Sequence, residues 1–222
     1  MPATMRDILE VAMTRTWMLL AAGFLGLGSV GCVEDIAAPP PPPKEAELVH
    51  YWHFNALAEG TLTTVPVDVS TLTGAVITYP GTGAGYMDRV DPGSDLGAKP
   101  ATPAGYGLRP RNPANTRELI IVAPSTGYEK LVVSFAAMRS SNGAVQEEFY
   151  YSANGGATWT LVGAAYDISE SWNLKTFDLA AITAVNDNPN LRFRILFVGT
   201  NADGSSGNNR LDNILVEGVP LS

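Results

Sequence analysis

Beyond residue 48 the hydrophobic positions fall in short runs, without the i, i+3, i+4 spacing of a helix. The clearest run is LRFRILFV at residues 191–198. There Leu191, Phe193, Ile195 and Phe197 alternate with Arg192 and Arg194. Successive strand side chains point to opposite faces, so this run predicts a strand with one buried and one solvated side. Residues 129–138 repeat the pattern, with Leu131, Val133, Phe135 and Ala137 inward. Residues 117–122, 145–152, 158–162 and 210–216 predict further strands. Residues 50–54 open the first sheet, 171–179 add another strand, and 180–185 form a short helical turn. Clusters of Gly, Pro, Asn and Asp separate these runs. Many short strands punctuated in this way predict an all-β sandwich or barrel. Residues 80–115 are Gly- and Pro-rich, and read as a long loop or as strands broken by excursions. Loops of that length are often functional.

The N-terminal pattern is different. An apolar run spans residues 17–30, shorter than the roughly 20 residues a membrane-spanning helix needs. Arg15 stands just ahead of it, and LLAAGFLGLGSVG leads directly into Cys32, the chain's one cysteine. This segment resembles a bacterial lipoprotein signal, and Met13 begins a compact version of it. Ser29 and Gly31 are the small residues such a signal peptidase accepts, although Ser29 stands where the motif usually has Leu. The resemblance implies a signal helix removed over residues 1–31, and a Cys32 that becomes the mature N-terminus carrying acyl chains such as palmitate. Lasting attachment takes more than one chain. Val33, where retention signals of enteric bacteria carry Asp, resembles outer-membrane sorting. The expected location is therefore an exported, membrane-anchored lipoprotein of the outer membrane or cell surface. Residues 32–47 follow as a linker whose proline run, Pro39 to Pro43, favours a stiff polyproline II spacer.

Composition narrows the partners. With 22 acidic and 14 basic residues the net charge is −8. That excludes the basic surface nucleic acid requires and disfavours an anionic membrane surface, while permitting a cation. A single cysteine leaves no disulfide within the chain. Residues 48–222 are one domain by length.

Two motifs stand out in the body. Ser152 to Trp159 reads SANGGATW and resembles the Asp-box, with Asn154 in the place of Asp. Read physically it is a hairpin turn. Asn154 hydrogen-bonds the turn backbone, Gly155 or Gly156 takes the positive φ, and Trp159 packs back under it. One copy does not make a sialidase propeller. The second motif is NNRLDNILVEG, residues 208–218, where Asp212 and Asn213 interrupt an apolar closing strand. A carboxylate there needs a partner. Arg210, a turn hydrogen bond, or a calcium ion would each serve.

NNRLDNILVEG resembles the closing strand of MAM-type and related jelly-roll adhesion domains, where the Asp often sits on a structural calcium. That resemblance implies Ca2+ at Asp212, with Asn55 as a neighbouring ligand. HYWHFN, LRPRNP, TGYEKLVVSF and YSANGGATW extend the likeness over most of residues 48–218. They resemble a jelly-roll module of exported bacterial proteins, akin to carbohydrate-binding modules. The fold class expected is a two-sheet antiparallel jelly-roll sandwich.

No nucleophile motif, cysteine thiolate or phosphate loop is present in the body. Glu147 and Glu148 are adjacent on a strand and point to opposite faces, so they form no glycosidase pair. His50 and His53, three apart on a strand, likewise diverge. Trp52 and Trp159 read as core. Tyr86 and Tyr106 in the loop-rich region, with the amide of Asn112, are the candidate ligand contacts. The function expected is a non-catalytic, lipid-anchored surface protein with a binding or adhesion β-sandwich. The alternative is a carbohydrate-binding module recognising a polysaccharide, and a glycoside-acting enzyme ranks third. The partners expected are a membrane through the anchor, and a polysaccharide or surface protein, with no nucleic acid.

Overall fold

The computed structural model describes residues 43–222. The lipoprotein signal, Cys32 and most of the proline-rich linker lie outside the described residues. Two antiparallel sheets face one another. The first runs in the order β12 (Asn173–Asp178), β8 (Tyr128–Arg139), β14 (Asn209–Pro220), β1 (Glu47–Trp52) and β3 (Val69–Ser70). β6 (Gly107–Pro110) joins β14 at Leu211, and β5 (Met87–Val90) pairs with β6. The second sheet runs β10 (Thr160–Leu161), β9 (Gln146–Ser152), β13 (Arg192–Val198), β7 (Leu119–Val122), β4 (Val76–Thr78) and β2 (Thr64–Pro66). β11 (Tyr166–Asp167) adds to β9, and a 3-10 turn spans Thr183–Val185.

Alternation decides what lies between the sheets. β13 buries Phe193, Ile195 and Phe197 and turns Arg192, Arg194 and Leu196 outward. β8 buries Leu131, Val133, Phe135 and Ala137 in the same way. Four phenylalanines bridge the layers. Phe149 on β9 stacks 4.1 Å from Phe177 on β12 and 5.4 Å from Phe193, and Phe135 lies 6.1 Å away. Fully burying one such ring stabilises the fold by roughly 1.5–3 kcal/mol. Trp52 is completely buried, in line with its reading as core.

Residues 80–115 contain β5 and β6, separated by an excursion over residues 91–106. Asp88 fastens this pair by accepting hydrogen bonds from Arg109 at 2.7 Å and from Arg111 at 2.9 Å. Burial alone would raise the Asp88 carboxyl, but these guanidinium contacts outweigh it and hold the carboxyl below its ordinary value. His50 and His53 do diverge. His50 turns inward against Trp52 and hydrogen-bonds Ser70 and the Pro124 carbonyl, while His53 lies on the outer side beside Tyr51 and Asp68.

Candidate functional site

The outer faces of the two sheets differ. Over the first sheet the excursion 91–106 forms a strap, and the residues singled out in the closing strand hold it down. β14 bulges at Asp212 and Asn213, where its pairing passes from β6 to β1. Asn213 takes φ 49°, a left-handed conformation that Asn tolerates. Asp212 accepts the backbone N–H of Ser94 at 2.6 Å and of Asn213 at 2.7 Å. The Asn213 side-chain amide donates to the carbonyls of Ser94 and Leu96, and its Oδ1 accepts from the Tyr51 hydroxyl at 2.6 Å. Asn55 clasps the far end of the strap by accepting from Tyr106 N–H and donating to the Pro103 carbonyl. A Cβ on Gly105 would stand 1.7 Å from the Asn55 amide oxygen, so that close approach requires glycine.

Asp212 and Asn55 thus act on one segment. Arg210 does not pair with Asp212; it donates to Asn208 instead. The Asp212 partner is a pair of backbone N–H groups. Burial, helped by nearby Asp68, raises its carboxyl to about 7 against the downward pull of those two hydrogen bonds. Among the described residues, no three His, Cys, Asp or Glu side chains gather to hold a metal. Both Asp212 oxygens are taken by backbone N–H groups, and the Asn55 amide is taken by Tyr106 and Pro103.

The three expected ligand contacts sit in different settings. Tyr86 is exposed, with Arg111 5.3 Å from its ring centre. Tyr106 lies under Arg89 at 4.2 Å and ties the strap to Asn55. Asn112 is buried, and its amide nitrogen donates to the carbonyls of Asn142, Asn201 and Ser206. That amide is committed to holding loops together.

The outer face of the second sheet carries no such strap among the described residues; most of its outward positions are half-exposed or exposed, while Ile120 and Ser152 are buried. Strand register lays these residues out in rows. One row runs Thr64, Thr78, Ile120, Arg194, Tyr150, Leu161. A neighbouring row runs Pro66, Val76, Val122, Arg192, Ser152, with Trp159 just ahead of β10. The Arg194 guanidinium lies 4.4 Å from the Tyr150 ring and 4.6 Å from the Trp159 ring. Glu118 reaches Arg194 at 3.4 Å, and Glu148 accepts from the Tyr150 hydroxyl at 2.6 Å. That hydrogen bond to Glu148 is the main reason the Tyr150 phenol is raised above its ordinary value.

Trp159 corrects its reading as core. It is half-buried on the outer face. The turn before it is built as expected. Ser152 Oγ accepts from Gly156 N–H, Asn154 Oδ1 accepts from Thr158 N–H, and Gly155 and Gly156 both take positive φ. The indole packs against Gly156, where a Cβ would lie 3.4 Å from its Cζ2. This turn therefore sets an aromatic ring at the rim of the open face. The warning in the sequence was the alternation itself, because Trp159 shares parity with Leu161 and faces as Tyr150 does.

Two clefts border the same face. One, of about 600 Å³, lies at the end of β13 among Asn115, Leu196, Val198, Thr200 and Asp203. The other, of about 390 Å³, holds Thr61, Thr63, Thr78 and Tyr86, and Arg117 lines both. Tyr86 therefore does stand at a concavity.

Glu147 turns into the core, opposite in direction to Glu148. It is fully buried, accepting from Asn209 Nδ2 at 2.9 Å and from the Tyr166 hydroxyl at 3.3 Å. Burial raises its carboxyl to about 7 against the pull of those hydrogen bonds.

No family model matches the chain, and no curated protein matches it. Solved structures do. The tandem CBM22-1–CBM22-2 domains of Paenibacillus barcinonensis Xyn10C align with 82% of this chain at 9% identity, with a TM-score of 0.50. The match spans 49% of that tandem chain. The CBM22-1 xylan-binding domain of the same protein aligns with 75% of this chain and 99% of its own length, at 12% identity and a TM-score of 0.44. TmCBM61 in complex with β-1,4-galactotriose aligns with 63% of this chain and 86% of its own, at 10% identity and a TM-score of 0.41. The chain has the two-sheet jelly-roll fold found in carbohydrate-binding modules.

Proposed function

We propose that this chain is a non-catalytic carbohydrate-binding protein that engages a polysaccharide on the outer face of the second sheet. The observation that carries the reading is the pairing of Tyr150 and Trp159 about Arg194 on an open sheet face, while the opposite face lies under a strap. Aromatic rings offer apolar surface to the C–H face of a pyranose, and polar groups around them bind its hydroxyls. The fold shared with the CBM22 tandem supports the same reading. So does the groove-like relief, since the two clefts and their Thr and Asn side chains extend the face. A flat surface suited to protein contact would lack this relief.

Glu118 and Glu148 share the face, but each is occupied as an acceptor, from Arg194 and from Tyr150. That engagement is what supports the reading of binding without hydrolysis. The lipoprotein resemblance of residues 13–32 completes the proposal, with acylated Cys32 and the proline spacer displaying the sandwich at the cell surface. The test is affinity electrophoresis of the detergent-solubilised full chain through gels containing different polysaccharides, backed by a glycan array. Retardation by at least one polysaccharide is expected. Indifference to every glycan overturns the proposal, and release of reducing ends from a bound glycan overturns its non-catalytic part.

A further inference from the structure

We infer that the polysaccharide is acidic, and that Arg192 grips the carboxylate of a uronic acid unit beside the Trp159 ring. The inference rests on the carbohydrate-binding reading and adds the charge of the ligand to it.

β13 sets two guanidinium groups on the solvent side, two residues and so about 6.6 Å apart along the strand. Their surroundings differ. Arg194 is engaged by Glu118 and flanked by Tyr150 and Trp159. Arg192 pairs with no carboxylate among the described residues. Its row contains Pro66, Val76, Val122 and Ser152, none of them charged. The acids of this face lie on the other side of Arg194. Glu118 pairs with Arg194, Glu148 opposes Leu196, and Asp167 opposes Gln146 at the far end. The open face is therefore polarised, with its uncompensated positive end at Arg192.

That end is also where the indole stands. A Cβ on Gly156 would lie 3.4 Å from Trp159 Cζ2 and 3.6 Å from Arg192 Nη1, so ring and guanidinium border one glycine. Gly156, at φ 93°, leaves the space between them open. A pyranose resting on the indole would bring a substituent at its ring edge to Arg192. A planar guanidinium matches a planar carboxylate with two parallel hydrogen bonds, which a neutral hydroxymethyl group cannot form; a sulfate ester is the competing anion, and the sulfated galactan below separates the two. The chain as a whole carries −8 and does not draw in a polyanion at long range. Recognition of an acidic chain must then come from this local contact.

The experiment compares the full chain with its Arg192→Gln and Trp159→Ala variants against polygalacturonate, its methyl ester, a sulfated galactan and neutral xylan. Arg192→Gln should weaken polygalacturonate binding at least about tenfold, as loss of a charge-assisted pair does, and leave its melting temperature unchanged. Methyl esterification should reproduce that loss in the unaltered protein. Trp159→Ala should weaken every ligand that binds. Equal affinity for the ester, an Arg192→Gln variant that binds polygalacturonate normally, or tighter binding of the sulfated galactan overturns the inference. If neutral xylan binds through Trp159 while Arg192→Gln changes nothing, carbohydrate binding stands and the acidic ligand falls. If no glycan binds, both fall.

Discussion

The Arg194 guanidinium rests 4.6 Å from the centre of the Trp159 ring, reaching across from the strand opposite Tyr150. A cation over an indole holds both in place, and Glu118 restrains the arginine from the other side. The pair fixes the orientation of the ring at the rim of the open face. Trp159→Ala should therefore cost binding about 2 kcal/mol or more, roughly thirtyfold in affinity. Because the ring is half-exposed, the melting temperature should shift by only a few degrees. Titration calorimetry beside a thermal melt checks this, and a variant that binds normally removes Trp159 from the site.

Asp212→Ala should loosen the strap. It leaves the N–H groups of Ser94 and Asn213 without their acceptor, a loss of about 1–3 kcal/mol. Limited proteolysis should then cut within residues 91–106 faster than in the unaltered protein. An unchanged cleavage rate would mean that the strap is held well enough by its other ties, to Asn213, Tyr51 and Asn55 and through the Lys99–Glu217 ion pair. The same pair of proteins tests the calcium expectation. A melting temperature that falls on chelation in the unaltered protein but not in Asp212→Ala places the ion at that carboxylate.

Glu147 makes stability depend on pH. Its carboxyl titrates near 7 in the folded chain, while an unfolded Glu titrates near 4.3. The folded state thus holds a proton that the unfolded state releases. Its contribution is fully present below about pH 4 and is lost as pH rises through 7. Each unit within that window costs up to about 1.4 kcal/mol. His50, whose imidazole is lowered mainly by burial, acts in the opposite sense as pH falls below 6.5. The clean measurement is therefore a difference. The melting temperature of Glu147→Gln minus that of the unaltered protein should grow between pH 5 and pH 8. A constant difference would show that Glu147 does not titrate in this range.

Cys32→Ala should move the protein from the membrane fraction to the soluble exported fraction. Extraction that still demands detergent would exclude acylation at this residue as the anchor.

Much of the fold was legible because strand alternation is a short-range code. LRFRILFV and residues 129–138 announced their buried faces, and the divergence of His50 from His53 and of Glu147 from Glu148 followed from the same period of two. The Asp-box turn was legible because Ser152, Asn154 and the two glycines satisfy one another locally. The candidate site was harder to read. The Ser152–Trp159 turn joins the segments of Tyr150 and Trp159, but β13 with Arg192 and Arg194 meets them only through register, which no local signal states. Trp159 looked like core because large aromatics usually are, and its parity with Leu161 outweighed that tendency. Asn112 looked like a free amide, yet three carbonyls from residues 30 or more positions away converge on it. The strap was visible as composition, but its fastening to Asp212 spans 118 residues.

β1 sits inside the first sheet, bonded to β14 on one side and β3 on the other, with rungs from Glu47–Gly218 to Trp52–Ile214. Residues ahead of Glu47 thus enter the sandwich through an interior strand. A pull along the axis of that strand loads all of its rungs at once, in shear, whereas a terminal edge strand can be peeled away rung by rung. If the proposed polysaccharide is gripped while residues ahead of Glu47 are held, this connectivity loads β1 in shear.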